Sequence, residues 1–432
     1  MTRSDAGKGR RLLIAALVVL AAAGTALFTS GAGAGTIGPD VTVHFLSGTS
    51  NYGNVGGIRA YSVGTTSCNT GDTPLNWCDQ ASGCAPGVTS AEHPVIAQNI
   101  YRLKDNRFQQ IGMGWLKHGF TALANSDAQC GDGSCAPPPF GGNQLGVGCT
   151  DPYGSSLNGS QPLGLKSEVN ASTGIFVWPR TNVGFSTAID QRIQVLQTDL
   201  EPTPTTTRYF IEGHYIARDD AQFGNALNNA SWREVTVNSG TFNLSLSGST
   251  MRLQPAIMAW PTIDPTVEVM AVDVPASPVE RFYLARKVID LGGGVWHYEY
   301  ALHNLNSDRS ARSFTVEFPS GATITNAGTA QINHHSGEPF ATTAWTIDTA
   351  TPGQVSWFTD THATNANANA LRWASMFNFW FDATSPPGGT TVHTIGLFKP
   401  GTPTELTAQF WTPVFLDGFE SGNTSAWSLT VP

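Results

Sequence analysis

The chain has 432 residues, with 46 Gly, 26 Pro and a formal net charge of −9. Only 13% of residues are charged, against about 25% in an average soluble protein; beside 40% hydrophobic and 10% aromatic content this excludes a disordered chain or a coiled coil. No Lys/Arg cluster stands beyond the N-terminus, so neither nucleic acid nor an anionic membrane surface is an expected partner.

Residues 1–34 read as a signal peptide. Arg3, Lys8, Arg10 and Arg11 form a basic start, Leu12 to Phe28 is apolar or small throughout, and Ala32-Gly33-Ala34 offers a cleavage site. Cleavage removes four basic residues and one acid, which takes the balance from −9 to −12. No later segment is apolar enough to span a bilayer, so no transmembrane span is expected after cleavage. The expected location is secreted or at the cell surface.

All six cysteines fall between Cys68 and Cys149. In an exported chain an even count reads as disulfides. The gaps x9, x5, x45, x4 and x13 fit no usual zinc spacing, and no C-x-x-C-H haem site occurs. Short gaps favour Cys78–Cys84 and Cys130–Cys135 as small rings, which leaves Cys68–Cys149 to close a long loop, where cross-linking stabilises most.

After residue 40, short alternating runs bounded by Gly, Pro, Asn and Asp predict strands. They include Val41–Leu46, Arg208–Ile216, Val267–Val274, Phe282–Ile289, Val295–His303, Ser313–Phe318, Gln354–Phe358, Leu371–Phe381 and Thr391–Phe398. Weak helical patterns occur at Ala91–Asn99 and Leu371–Met376. Lys287–His303 predicts a hairpin turning at Gly292-Gly293-Gly294, with Trp296, Tyr298, Tyr300 and Leu302 on its core face. The expected fold is all-β, in two β-rich domains. Residues 35–261 form a loop-rich, disulfide-stapled domain, residues 262–412 an immunoglobulin-like antiparallel sandwich, and residues 413–432 a C-terminal tail.

Several blocks carry a resemblance. Gln110-Ile-Gly-Met-Gly-Trp-Leu-Lys-His-Gly-Phe120, Leu145-Gly-Val-Gly-Cys-Thr-Asp-Pro-Tyr153 and Tyr298-Glu-Tyr-Ala-Leu-His-Asn-Leu-Asn-Ser-Asp-Arg309 resemble a group of uncharacterised secreted proteins of environmental bacteria. The resemblance implies export and, with no activity established for the group, assigns no catalytic residue. The end, from Phe415-Leu-Asp-Gly-Phe-Glu-Ser-Gly422 to Trp427, is similar to a C-terminal tail on unrelated exported proteobacterial proteins, which implies a modular export or surface role.

The chain has no G-x-S-x-G, no H-E-x-x-H and no nucleotide-binding fingerprint. Candidate chemistry lies in acid–histidine pairs two residues apart, a spacing that puts both on one strand face: Glu212 with His214, His297 with Glu299, and Asp360 with His362, with His303 on the His297 face. Imidazole and carboxylate on adjacent strands suit a divalent metal (Zn, Cu or Ca). The competing reading is the polar, solvated face of a sandwich. A second set, the candidate catalytic residues, is His93, His118, Asp151 and Tyr153 beside the cysteines. His334, His335 and Glu338 read as a surface loop. Trp178, Trp232, Trp345, Trp357 and Trp380 offer either sugar-stacking platforms or core plugs. Two functions follow as expectations: a β-protein binding an extracellular polymer, chiefly polysaccharide, or a secreted metal-assisted enzyme (hydrolase, lyase or oxidase) acting on such polymers through a His/carboxylate site.

Overall fold

The computed structural model describes residues 37–79, 83–127, 130, 133–318, 321–388 and 391–410. The signal peptide and the C-terminal tail expected from sequence lie outside the described residues. Within them the fold is all-β, and strand after strand follows the alternating runs. Arg208–Ile216 and Gln354–Phe358 begin and end where the pattern does. The candidate helix at Ala91–Asn99 is instead the start of strand Val95–Lys104. Val95 to Tyr101 is buried on both faces, Gln98 and Asn99 included, so its periodicity is ambiguous.

The first half is one large antiparallel sheet. Its order runs Leu244–Met251, Ala230–Val237, Arg208–Ile216, Val95–Lys104, Arg107–Met113, Ile193–Leu196, Ile58–Asn69 and Cys149–Tyr153. Strand Val41–Val55 pairs with Ile58–Asn69 through a Gly56-Gly57 turn, both glycines at positive φ (60° and 87°). The sheet curls until the first strand meets the far strands. Ser231 Oγ donates to the Val43 carbonyl at 2.6 Å and Arg233 to the Leu46 carbonyl at 3.0 Å. Val43, Leu46, Tyr61, Ile96, Ile100, Ile211, Tyr215 and Val235 fill the inside of the curl.

The second half is a sandwich of two five-stranded sheets, against about seven to nine strands in an immunoglobulin domain. One holds Glu268–Val274, Glu280–Gly292, Val295–Asn304, Ser375–Ala383 and Ile324–Gln331; the other holds Thr346–Asp348, Gln354–Phe358, Ala311–Glu317, Val392–Leu397 and Glu405–Ala408. Tyr298, Tyr300, Leu302, Phe377, Phe379 and Phe381 interleave with Phe314, Val316, Val355, Trp357 and Ile395. The core face expected for Trp296–Leu302 is the one that faces this core, and the hairpin turns at the three glycines, all at positive φ.

The two halves meet along a seam. The described residues belong to one compact unit, and the 261/262 position lies inside helix Ala259–Ile263. Trp260 there packs among Tyr101, Phe108 and Phe210 on one side and Ala285, Ala301 and Met376 on the other. Beside this apolar stretch the seam is polar. Met376 N donates to Gln110 Oε1 at 2.7 Å, and Asn378 Nδ2 to the Phe108 carbonyl at 2.8 Å.

The disulfides differ from the expected pairing. Cys78–Cys84 is present, but the others are Cys68–Cys130 and Cys135–Cys149. Pairing by shortest gap fails because Cys149, on the strand paired with Cys68's strand, carries the loop that returns Cys135 to it. Cys130 Sγ lies 3.4 Å from the Cys149 carbonyl, so the two longer bridges sit side by side.

Candidate functional site

Of the candidate catalytic residues, His93 and His118 pair with each other, while Asp151 and Tyr153 bond to separate partners. His93 Nδ1 lies 3.1 Å from the carbonyls of both Cys78 and Ser90. Carbonyls only accept, so Nδ1 holds the proton and Nε2 accepts from His118 Nδ1 at 2.9 Å. Phe176 and Trp178 close over both rings. Burial pulls the His118 pKa down to about 2, helped by His93, Arg180 and Lys117, and burial also lowers His93. His118 Nε2 abuts Gly164, where a Cβ would come within 2.3 Å of it. An imidazole so hard to protonate is a poor general base.

Tyr153 is equally occupied. Its hydroxyl receives Trp77 Nε1 at 3.1 Å and Phe120 N at 2.8 Å, and donates to the Phe120 carbonyl. Asp151 Oδ1 accepts from Leu123 N at 2.8 Å, while Oδ2 is buried without a partner among the described residues. Burial pushes Asp151 up to about 7.

The acid–histidine pairs meet three different fates. Glu212 and His214 share one strand face, as the spacing requires, but that face is the seam, not solvent. Glu212 is fully buried and accepts from Asn99 and Tyr101 at 2.9 Å and from Ala256 N at 2.6 Å. His214 lies across the seam from His303; among the described residues neither ring nitrogen of His214 has a hydrogen-bond partner, while His303 has the Ser375 main chain beside it. Burial lowers both to about 3. Lys166, buried beside them, rests its ammonium on Met113 Sδ (3.1 Å), the Ala374 carbonyl (3.3 Å) and Ser375 Oγ (3.4 Å). Trp373 touches both the Lys166 ammonium and the His214 ring.

His297 and Glu299 enter an ion network. His297 Nδ1 meets Asp382 at 2.5 Å and Nε2 meets Glu299 at 3.1 Å, and these carboxylates hold its pKa up, Glu299 foremost. Asp360 and His362 lie in a turn beyond strand Gln354–Phe358, not on a strand, and His362 packs on Phe398. Among the described residues no three His, Cys, Asp or Glu side chains gather as a metal-ligand set. His334 and Glu338 are not a surface loop either. His334 is buried, and Glu338 caps the main-chain nitrogens of Lys166 (2.5 Å) and Ser167 (3.3 Å).

A cavity of about 300 Å³ opens at one end of the second sandwich sheet. Arg312, Phe358, Asp360, Thr364, Asn365 and Asn369 help line it, with threonines 343, 346, 359 and 361 around them. Its frame is fixed by local bonds. Thr359 N donates to the Arg312 carbonyl at 2.9 Å, Asn369 Nδ2 to the Thr343 carbonyl at 2.9 Å, and Trp345 Nε1 to the Asn369 carbonyl at 2.5 Å. Arg312 Nε and Asn369 Oδ1 are buried without partners among the described residues. Asp360, on the rim, is exposed. Hydroxyls, amides, one guanidinium and one carboxylate around a phenyl ring can both donate to and accept from a ligand rich in hydroxyls.

Sequence reasoning placed Asp360 on a strand face and passed over Arg312 and the threonines. The one available signal was the Thr/Asn/Ala-rich stretch from Thr359 to Ala370, which contributes only Ala368 and Ala370 to a small cluster with Phe398. Of the five tryptophans, Trp232, Trp345 and Trp357 are core plugs, Trp178 roofs the His93/His118 pair, and Trp380 lies under Arg107 at 3.6 Å. No family model matches the chain, and no curated protein matches it.

Proposed function

We propose that this is an exported, non-enzymatic β-protein that binds an extracellular polysaccharide, with the Arg312/Asp360 cavity as its binding site. One observation carries the reading: a guanidinium and a carboxylate line the same cavity, and among the described residues neither has a hydrogen-bond or ion-pair partner. Elsewhere the arginines of this half are engaged, Arg281 by Asp273 and Arg309 by the Lys399 and Pro403 carbonyls. Sugar hydroxyls supply both the acceptors and the donors that these two groups lack, and the Phe358 ring offers an apolar face for a pyranose. Three disulfides suit an oxidising compartment, and among the described residues no helix is long and apolar enough to cross a membrane.

The test is co-sedimentation of purified protein with a panel of insoluble polysaccharides, together with a glycan array. Retention on at least one polymer is expected, lost in Arg312→Ala and Asp360→Ala. Retention that survives both substitutions would move the site elsewhere, and no retention on any polymer would reject the reading.

A further inference from the structure

We propose, resting on the polysaccharide reading, that the polymer is acidic and that Arg312 binds the carboxylate of a uronic acid unit. Arg312 sits at a bulge of strand Ala311–Glu317, where the pairing with Val392–Leu397 slips between Ala311 and Ser313. A bulge turns a side chain out of the regular alternation, and this one delivers a guanidinium to the cavity wall rather than to a neighbouring strand. The group is partly buried, with Nε cut off from water and unpaired.

The two charged groups of the cavity are not equivalent. Asp360 is exposed on the rim, where water serves it until ring hydroxyls of a ligand take that water's place. Arg312 is the half-buried one, and a donor partly withdrawn from water without an acceptor is costly until something supplies it. The chain supplies acceptors generously elsewhere: Arg286 has Glu268, Arg107 has Glu299 and Arg372 has the carbonyls of Ala366 and Ala368. In a sequence with 32 acidic and 23 basic residues, Arg312 nevertheless has none among the described residues. The missing partner is therefore an anion brought by the ligand. A guanidinium fork matches a planar carboxylate with two parallel hydrogen bonds. The ring hydroxyls of the same unit then face the threonine hydroxyls and Asn365. A polyphosphate backbone does not fit, because it needs several clustered cations and this cavity has one.

The experiment is calorimetric titration of the disulfide-intact protein with an oligogalacturonate, its methyl ester and a sulfated oligosaccharide of the same length. The acid is expected to bind at least about tenfold more tightly than the ester. Arg312→Gln should weaken the acid far more than the ester and so erase that difference, Arg312→Lys should keep part of it, and Asp360→Asn should weaken acid and ester alike, leaving their ratio unchanged. A melting curve on each variant shows that the fold is intact. Equal binding of acid and ester, unaltered in Arg312→Gln, would overturn the acidic assignment and leave the polysaccharide reading standing. Arg312-dependent binding of the sulfated sugar but not of the uronate would overturn the carboxylate. Failure of all three sugars, with an empty polysaccharide panel, would overturn the underlying reading itself.

Discussion

Arg107, at the tip of the Val95–Met113 hairpin, reaches across the seam to Glu299 on the sandwich, with Nε to Oε2 at 2.9 Å and a second arm to Oε1 at 2.5 Å. The carboxylate is 3% exposed. Two parallel charge-assisted bonds fix the relative position of two sheets as well as their distance. Removing Arg107 strands Glu299 in a poorly solvated position with only His297 beside it. Arg107→Ala should destabilise the protein by about 3 kcal/mol, the lower end for breaking a buried pair. Urea unfolding of Arg107→Ala, Glu299→Gln and the double variant checks this. A double variant no worse than either single one would show the coupling.

Acid should weaken the fold before it touches the usual carboxylates. His118 (about 2), His214 and His303 (both about 3) sit far below the ordinary 6.5 because they are buried. Their folded forms refuse protons that the unfolded chain accepts. Stability is therefore full above pH 6.5 and falls as pH drops towards 3, with a limiting slope of about 1.4 kcal/mol per pH unit for each site. Denaturant midpoints at pH 7, 6 and 5 should decline steadily, and more shallowly in His303→Gln.

Asp151 works in the opposite sense. Its carboxyl, raised to about 7 by burial, favours the folded state while protonated. That contribution is present below about pH 4 and is lost as pH rises through 7. Asp151→Asn should gain stability relative to the parent as pH goes from 5 to 8. Parallel pH profiles for the two proteins would contradict this.

Much of the architecture is legible in the sequence because a strand has only two faces. Tyr298, Tyr300 and Leu302 had to lie together, and they do. The same rule put His297, Glu299 and His303 on the opposite face. What it could not say is that a second sheet covers that face, so residues expected in water became the interior of a seam. Nothing local marks such burial, since the covering residues, Lys166, Gln110 and His214, come from distant segments. The cysteines failed for a related reason: chain distance is a poor guide once Cys68 and Cys149 lie on paired strands. Arg312 escaped notice because a bulge, not the alternation, sets its direction.

The bridges should rank by the loop each one closes. Sequence separations are 62 for Cys68–Cys130, 14 for Cys135–Cys149 and 6 for Cys78–Cys84. Chain entropy then gives about 4, 3 and 2 kcal/mol for their paired Cys→Ala losses. Thermal melts of the three double variants test the order, and non-reducing peptide maps test the pairing.

Gly164 offers a test of the histidine pair. A methyl there would intrude on His118 Nε2. Gly164→Ala should cost about 1–3 kcal/mol as an overpacked site. In a His118→Ala background the same change should be nearly silent, because the obstructed ring is gone. An equal cost in both backgrounds would point to backbone strain instead.

The Cys68–Cys130 bridge has a practical corollary. A protease that nicks the backbone once anywhere between those two positions does not release a fragment, because the severed ends stay tethered through sulfur. Both pieces stay tied at the end of strand Ile58–Asn69, ready to re-close around the cut. The stapled half would thus outlast many hydrolytic insults that would dismantle an unbridged sheet of the same size.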